Sequence, residues 1–271
     1  EVGSFVPAKL LPQMADAFEI VQYAKDIPNL TVVALVPNFI GAKNAIDAGA
    51  DKICLPLSVS ETHSQANLRK SHDEVLEEIR KISEYIEQLE KSQRPEFEGN
   101  LSTAFGCTLE GKVSEDLVLK LGARMMELGC DEIGLSDTTG YANPNQIKRL
   151  IRLLNKEVGQ ENLKSMHLHN TRGLGLANAL ASLEEGITTL DSSLGGIGGC
   201  PFAPGASGNI VTEDLVFMLD AMGVETGIDI NKLLEVTNKV QSFIPDESIY
   251  GFTKDSGLPI GYEKGWGIVR S

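Results

Sequence analysis

Two histidines two residues apart, His167 and His169, close an apolar stretch of the chain. On an extended strand, side chains at i and i+2 point to the same face, so both imidazoles would lie on one side. Two such rings can share a metal ion, although the same spacing also suits a pair of hydrogen-bonded strand-end histidines. Other polar groups stand at comparable places: Glu1 beside Val2-Gly3-Ser4-Phe5, Asp137 after Ile133-Gly134-Leu135-Ser136, and Asn209 at the end of a glycine-rich run that begins at Gly195. That run carries one thiol, Cys200, among small residues. Its glycines permit a loop that approaches a ligand closely, and a thiol there can exchange a proton if neighbouring charges tune it. Cys54, Cys107 and Cys130 read instead as small, inert hydrophobes.

Alternating β and α patterns supply the elements that must position these groups. β-branched and apolar runs predict strands at 30–36, 52–57, 97–103, 132–137, 165–169 and 188–192, with a strand remnant at 2–5. Helical periodicity separates them at 20–25, 42–48, 72–91, 115–127, 146–156 and 174–185, and continues at 214–221 and 231–241. In the longest of these, Val75, Ile79, Ile82 and Ile86 share one face. Repeated βα units imply a parallel sheet. Seven strands of this kind suit a (β/α)8 TIM-type barrel whose first strand and helix would precede Glu1. An open doubly wound sheet has the same alternation, but no Gly-x-Gly-x-x-Gly follows an early strand. In a barrel, the carboxyl ends of the strands are where catalytic groups gather, and the polar residues above fall there. Residues 1–243 are expected to form the catalytic barrel, with 244–271 a tail that carries no interpretable pattern.

Composition narrows the function. With 271 residues, 42% hydrophobic and 23% charged, the chain has the make-up of one globular α/β unit. It contains no apolar run that spans a bilayer, and no membrane partner is expected. A formal net charge of −14 argues against a nucleic-acid partner, whose phosphates need clustered Lys and Arg. Four widely spaced cysteines point to a reducing compartment.

The run Ser193-Leu194-Gly195-Gly196-Ile197-Gly198-Gly199-Cys200-Pro201-Phe202-Ala203-Pro204-Gly205-Ala206-Ser207-Gly208-Asn209 resembles the signature loop of the 3-hydroxy-3-methylglutaryl-CoA lyases. Ser4-Phe5-Val6, Pro37-Asn38, Gly106-Cys107 with Glu110-Gly111-Lys112, Ser136-Asp137-Thr138, His167-Leu168-His169 and Thr212-Glu213-Asp214-Leu215 extend the resemblance, which fades after about residue 243. It implies a divalent cation, Mg2+ or Mn2+, on His167, His169 and Asn209, with a further Asp from an Arg-Asp-Gly motif expected upstream of Glu1. It also implies Cys200 as the acid/base thiol and Glu1, Asp137 and Glu213 as acidic groups of the catalytic site. The implied substrate is a branched 3-hydroxyacyl-CoA, cleaved to acetyl-CoA and a 3-keto acid such as acetoacetate, as in leucine degradation and ketone-body metabolism. A homo-oligomer, dimer or tetramer, is expected, in the cytoplasm of a bacterium or the mitochondrial matrix of a eukaryote. Arg172, just beyond the histidines, is a candidate for the CoA phosphates. A Claisen-condensing synthase of the isopropylmalate or homocitrate type shares the His-x-His, and Asn170, where the lyases carry Asp, leans that way. Gly-Gly-Cys-Pro in place of Gly-Glu-Arg favours the lyase. A non-catalytic barrel is the remaining alternative.

Overall fold

A computed structural model describes residues 1–198 and 208–265. Strands and helices alternate, with two helices between β3 and β4: β1 (Gly3–Ser4), α1 (Ala17–Lys25), β2 (Val33–Leu35), α2 (Phe39–Ala48), β3 (Lys52–Ser58), α3 (Glu61–Asn67), α4 (His72–Glu87), β4 (Glu96–Ser102), α5 (Glu115–Glu127), β5 (Glu132–Asp137), α6 (Pro144–Val158), β6 (Leu163–Leu168), α7 (Gly175–Glu184) and β7 (Thr189–Asp191). Then come α8 (Thr212–Ala221), α9 (Ile230–Phe243) and α10 (Phe252–Ser256). The seven strands are all parallel and pair in sequence order from β1 to β7, which is the curled sheet of a TIM-type barrel rather than a doubly wound sheet.

Local chemistry explains most boundaries. Helix α4 starts at Ser71, whose side chain accepts the Glu74 amide while the Glu74 carboxylate accepts the Ser71 amide. Its Val75, Ile79, Ile82 and Ile86 are buried, each contributing roughly 2 kcal/mol of apolar transfer. Helix α3 had no periodic signal because its sequence is almost wholly polar. Ser60 caps it, and it buries His63 and Ser64. Helix α10, within the tail, is started by a side chain distant in sequence: Asp214 accepts the amides of Phe252 and Thr253 at 3.1 and 2.7 Å.

The strands divide their side chains between two faces. Ile53, Leu55, Leu57, Phe97, Leu101, Ile133 and Leu135 are fully buried against the helices. The opposite, inner face is polar. Lys52 lies 2.6 Å from Glu98 and also pairs with Glu132, which takes a second cation, Lys164, at 2.8 Å. Ser165 Oγ donates to Glu98 Oε1 at 2.7 Å, and Asn100 Nδ2 reaches the same oxygen at 3.3 Å. Gly134 leaves room for this lattice: a Cβ there would lie 2.3 to 2.6 Å from Ser165 Oγ, Glu98 Oε1 and Asn100 Nδ2.

Candidate active site

Above the charged lattice, β6 delivers the two histidines. His167 faces the interior from the strand proper, and His169, one residue past its end, forms an antiparallel bridge with Asn209. The two Nε2 atoms are 3.2 Å apart. Both rings therefore do lie on one side, as their spacing predicts. His167 Nδ1 donates to Asp191 Oδ2 at 3.2 Å, and Asp191 closes β7. Burial, reinforced by His167 beside it, holds His169 down at about 4, so its ring is neutral at pH 7 and keeps a lone pair. Burial works against a charged His167, but the bond to Asp191 and that residue's charge outweigh it and move His167 above its ordinary value.

Asn209 joins this group through the main chain. Asn170 N donates to Gly208 O at 3.3 Å and Ile210 N to Leu168 O at 3.1 Å, so the segment 208–210 runs alongside the end of β6. The Asn209 amide nitrogen donates to Ile197 O at 3.0 Å, and among the described residues Oδ1 is buried without a hydrogen-bond partner. His169 Nδ1 is buried and unpartnered as well. A buried amide oxygen left without a donor is costly in a finished interior and marks a place for a ligand.

These residues fit a divalent cation. Two nitrogens 3.2 Å apart match the roughly 3 Å edge of an octahedron with bonds of about 2.1 Å. The Asp191–His167 hydrogen bond is the arrangement that orients metal-bound imidazoles. Among the described residues no group of three or more His, Cys, Asp and Glu side chains could hold a metal ion, so the Asn209 amide oxygen would be the third donor.

The remaining sequence candidates occupy different places. Glu1 precedes β1 instead of closing it; it is exposed to solvent, and the charges of Asp191, His167 and Glu98 reach it. Asp137 does end β5, but its carboxylate accepts the amides of Tyr141 and Ala142 at 2.8 and 3.1 Å, fixing the β5–α6 turn. Burial raises Asp137 to about 6 despite those bonds. Glu213, fully buried on α8, accepts the Gly195 amide at 3.0 Å and the Thr237 hydroxyl, so it ties the start of the glycine run to α9. Arg172 Nη1 donates to the carbonyls of Thr139 and Gly140, and its guanidinium stacks 4.5 Å from the Tyr141 ring. Among the described residues it has no carboxylate partner. Cys200 lies outside the described residues.

Sequence reasoning passed over Asp191 and Tyr250. Asp191 was within reach of the rule used for the others, since it stands in a run predicted as a strand and its carboxylate is at that strand's carboxyl end. Tyr250 left no such signal, because its contacts are with backbone atoms of residues far away in sequence.

The profile of HMGL-like proteins matches residues 6–240. The hydroxymethylglutaryl-CoA lyase of Bacillus subtilis is 37% identical over 241 residues, 89% of this chain and 79% of that protein. The mitochondrial hydroxymethylglutaryl-CoA lyase of Bos taurus is 39% identical over 235 residues, 87% of this chain and 71% of its own length. Among solved structures, an HMG-CoA lyase from Acinetobacter baumannii in complex with coenzyme A and 3-methylmalate superposes with a TM-score of 0.87 at 39% identity, covering 96% of this chain and 83% of that one.

Proposed function

The chain belongs to the HMGL-like family, and from that premise we propose that it is a carbon–carbon lyase that cleaves 3-hydroxy-3-methylglutaryl-CoA to acetyl-CoA and acetoacetate. The observation that carries this reading at the site is the facing histidine pair at the end of β6, with Asn209 bridged to it and Asp191 behind it. His167, His169 and the Asn209 amide oxygen would hold a Mg2+ or Mn2+ ion. When bound, such an ion supplies Lewis acidity and a template for the substrate's oxygens.

Cleavage breaks the bond between C2 and C3. The C3 hydroxyl gives its proton to a general base, the C3–O bond becomes a carbonyl, and the electron pair of the broken bond passes to the thioester fragment, which then takes a proton at C2. The chain's own residues divide this work. Asp191 fixes the tautomer and tilt of His167, so that its Nε2 lone pair points towards His169. Glu213 holds the start of the glycine run and Asp137 the β5–α6 turn, each through backbone amides. Cys200 is assigned the proton delivered to C2, because a thiol near its working pKa can serve as a general acid. Arg172, held in place by two carbonyls and a ring and lacking a carboxylate partner among the described residues, is suited to an anionic part of the acyl-CoA.

The test is turnover of a panel of 3-hydroxyacyl-CoA esters by the full-length protein with Mg2+ or Mn2+. Release of acetyl-CoA from the methylglutaryl ester, abolished by chelation, is expected. No acetyl-CoA from any ester would refute the assignment. Cys200→Ser should lower kcat at least about 100-fold with Mn2+ affinity nearly unchanged, whereas His167→Ala should weaken Mn2+ and be partly rescued by excess ion. Near-normal turnover by Cys200→Ser would remove the thiol from the mechanism.

A further inference from the structure

We infer that Tyr250, which lies beyond the span of the family match, is a positioning residue for Asn209 and, through it, for the cation site; this rests on the cation reading above. Its hydroxyl donates to the Asn209 carbonyl at 3.2 Å, and Asn170, whose backbone amide donates to Gly208 O at 3.3 Å, holds the neighbouring residue of the same segment. Asn170 follows His169 directly, and His169 is the residue bridged to Asn209. One phenol thus fastens the segment that carries Asn209 where it is bridged to the end of β6.

The tail grips the glycine run at the same place. Tyr250 N donates to Gly195 O at 3.0 Å. Gly195 and Gly196 adopt φ of 57° and 67°, and a Cβ on either would collide with the tail: 2.5 Å from Ile249 Cβ at Gly195, and 2.5 Å from Tyr250 Cε1 at Gly196. These glycines are needed both for their left-handed backbone and for the close approach of the tail. Adjacent carboxylates on α8 secure both partners. Glu213 holds the Gly195 amide, and Asp214, nearly buried, holds the amides that follow Tyr250, at Phe252 and Thr253.

The consequence falls on the Asn209 side chain. Its Nδ2 is held by Ile197 O, within the corner the tail presses on, and its Oδ1 is left over for a ligand. Releasing the Asn209 carbonyl and the Gly195–Gly196 corner lets that amide turn away from the histidines. The cost appears as lost cation affinity rather than lost fold, because no packed core side chain changes.

Mn2+ binding to the full-length protein, followed by the loss of the free-ion electron paramagnetic resonance signal, separates the possibilities. Tyr250→Phe keeps the ring and removes the hydroxyl. It should weaken Mn2+ about tenfold, the lower end for groups that orient ligands, with an unchanged thermal midpoint in the absence of metal. Tyr250→Ala should weaken it further. In an Asn209→Ala background, Tyr250→Phe should have no additional effect. Wild-type affinity in Tyr250→Phe beside a weakened Asn209→Ala would overturn the role of the tyrosine alone, as would an equal loss from Tyr250→Phe in both backgrounds. Asn209→Ala with wild-type affinity would overturn the cation reading and this inference with it.

Discussion

Lys52→Met isolates what the charged lattice inside the barrel contributes. Lys52 bridges Glu98 and Glu132, with the three side chains 10%, 6% and 2% exposed. Methionine has similar length and no charge, so the substitution preserves volume while removing the shared cation. The two carboxylates are not left equal. Glu132 keeps Lys164 at 2.8 Å, whereas among the described residues Glu98 keeps only the neutral donors Ser165, Asn100 and the Cys54 thiol. Breaking a buried pair by removing one partner costs about 3–5 kcal/mol, and the surviving cation on Glu132 points to the lower end, about 3 kcal/mol. For a chain of this size that corresponds to a thermal midpoint roughly 6–12 °C lower. The second arm is Lys52→Met combined with Glu98→Gln. It removes the stranded charge and keeps an acceptor for Ser165, so it should recover at least about half of the loss. Urea unfolding followed by circular dichroism measures all three proteins. A loss below about 1 kcal/mol for Lys52→Met, or a double variant no more stable than the single, would show that the lattice is solvated or rearranges freely and that the reasoning is wrong.

Gly134→Ala tests the same lattice by crowding. A methyl 2.3 Å from Ser165 Oγ and 2.4 Å from Glu98 Oε1 must displace both, and a loss of about 1–3 kcal/mol is expected in urea unfolding. Gly173→Ala, with φ of 72° and nothing within 4 Å, carries backbone strain alone and should cost only about 1–2 kcal/mol. If the lattice simply steps aside, the Gly134 variant will be as stable as wild type. Asp137 gives a pH signature. Its pKa is raised from 3.8 to about 6 by burial, so its contribution to stability is fully present below pH 3.8 and is lost as pH rises through 6. The displacement is worth about 3 kcal/mol across that window. Asp137→Asn should therefore gain on wild type between pH 4 and 7, and parallel stability curves for the two proteins would refute the assignment.

How much of this was legible beforehand varies element by element. Strand β5 and helix α5 match their expected limits because each has one dominant signal: a short apolar run bounded by turns, and a regular apolar face. The β2 run was expected over 30–36 and pairs only over Val33–Leu35, since ladder length depends on the neighbouring strands. For the histidines, spacing was sufficient. Alternation along a strand puts i and i+2 on one face whatever the surrounding fold, and the rings indeed face each other at 3.2 Å. The order of α and β patterns likewise determined a parallel sheet, because periodicity is a property of the local chain.

What only the tertiary structure decided is the company each polar group keeps. Lys52, Glu98, Glu132 and Ser165 come from four separate strands, and nothing in their local sequences pairs them. Asp137 and Glu213 each hold backbone amides, partners that their local sequences do not specify. The described residues after 243 lack any pattern of their own because their helix and turns lean on partners distant in sequence. Asp214 starts their helix, and Gly195 and Asn209 receive their tyrosine. Periodicity is encoded within a few residues and can be read along the chain. Partnership depends on which strands become neighbours when the sheet curls, and that is settled only by burying all of their outer faces at once.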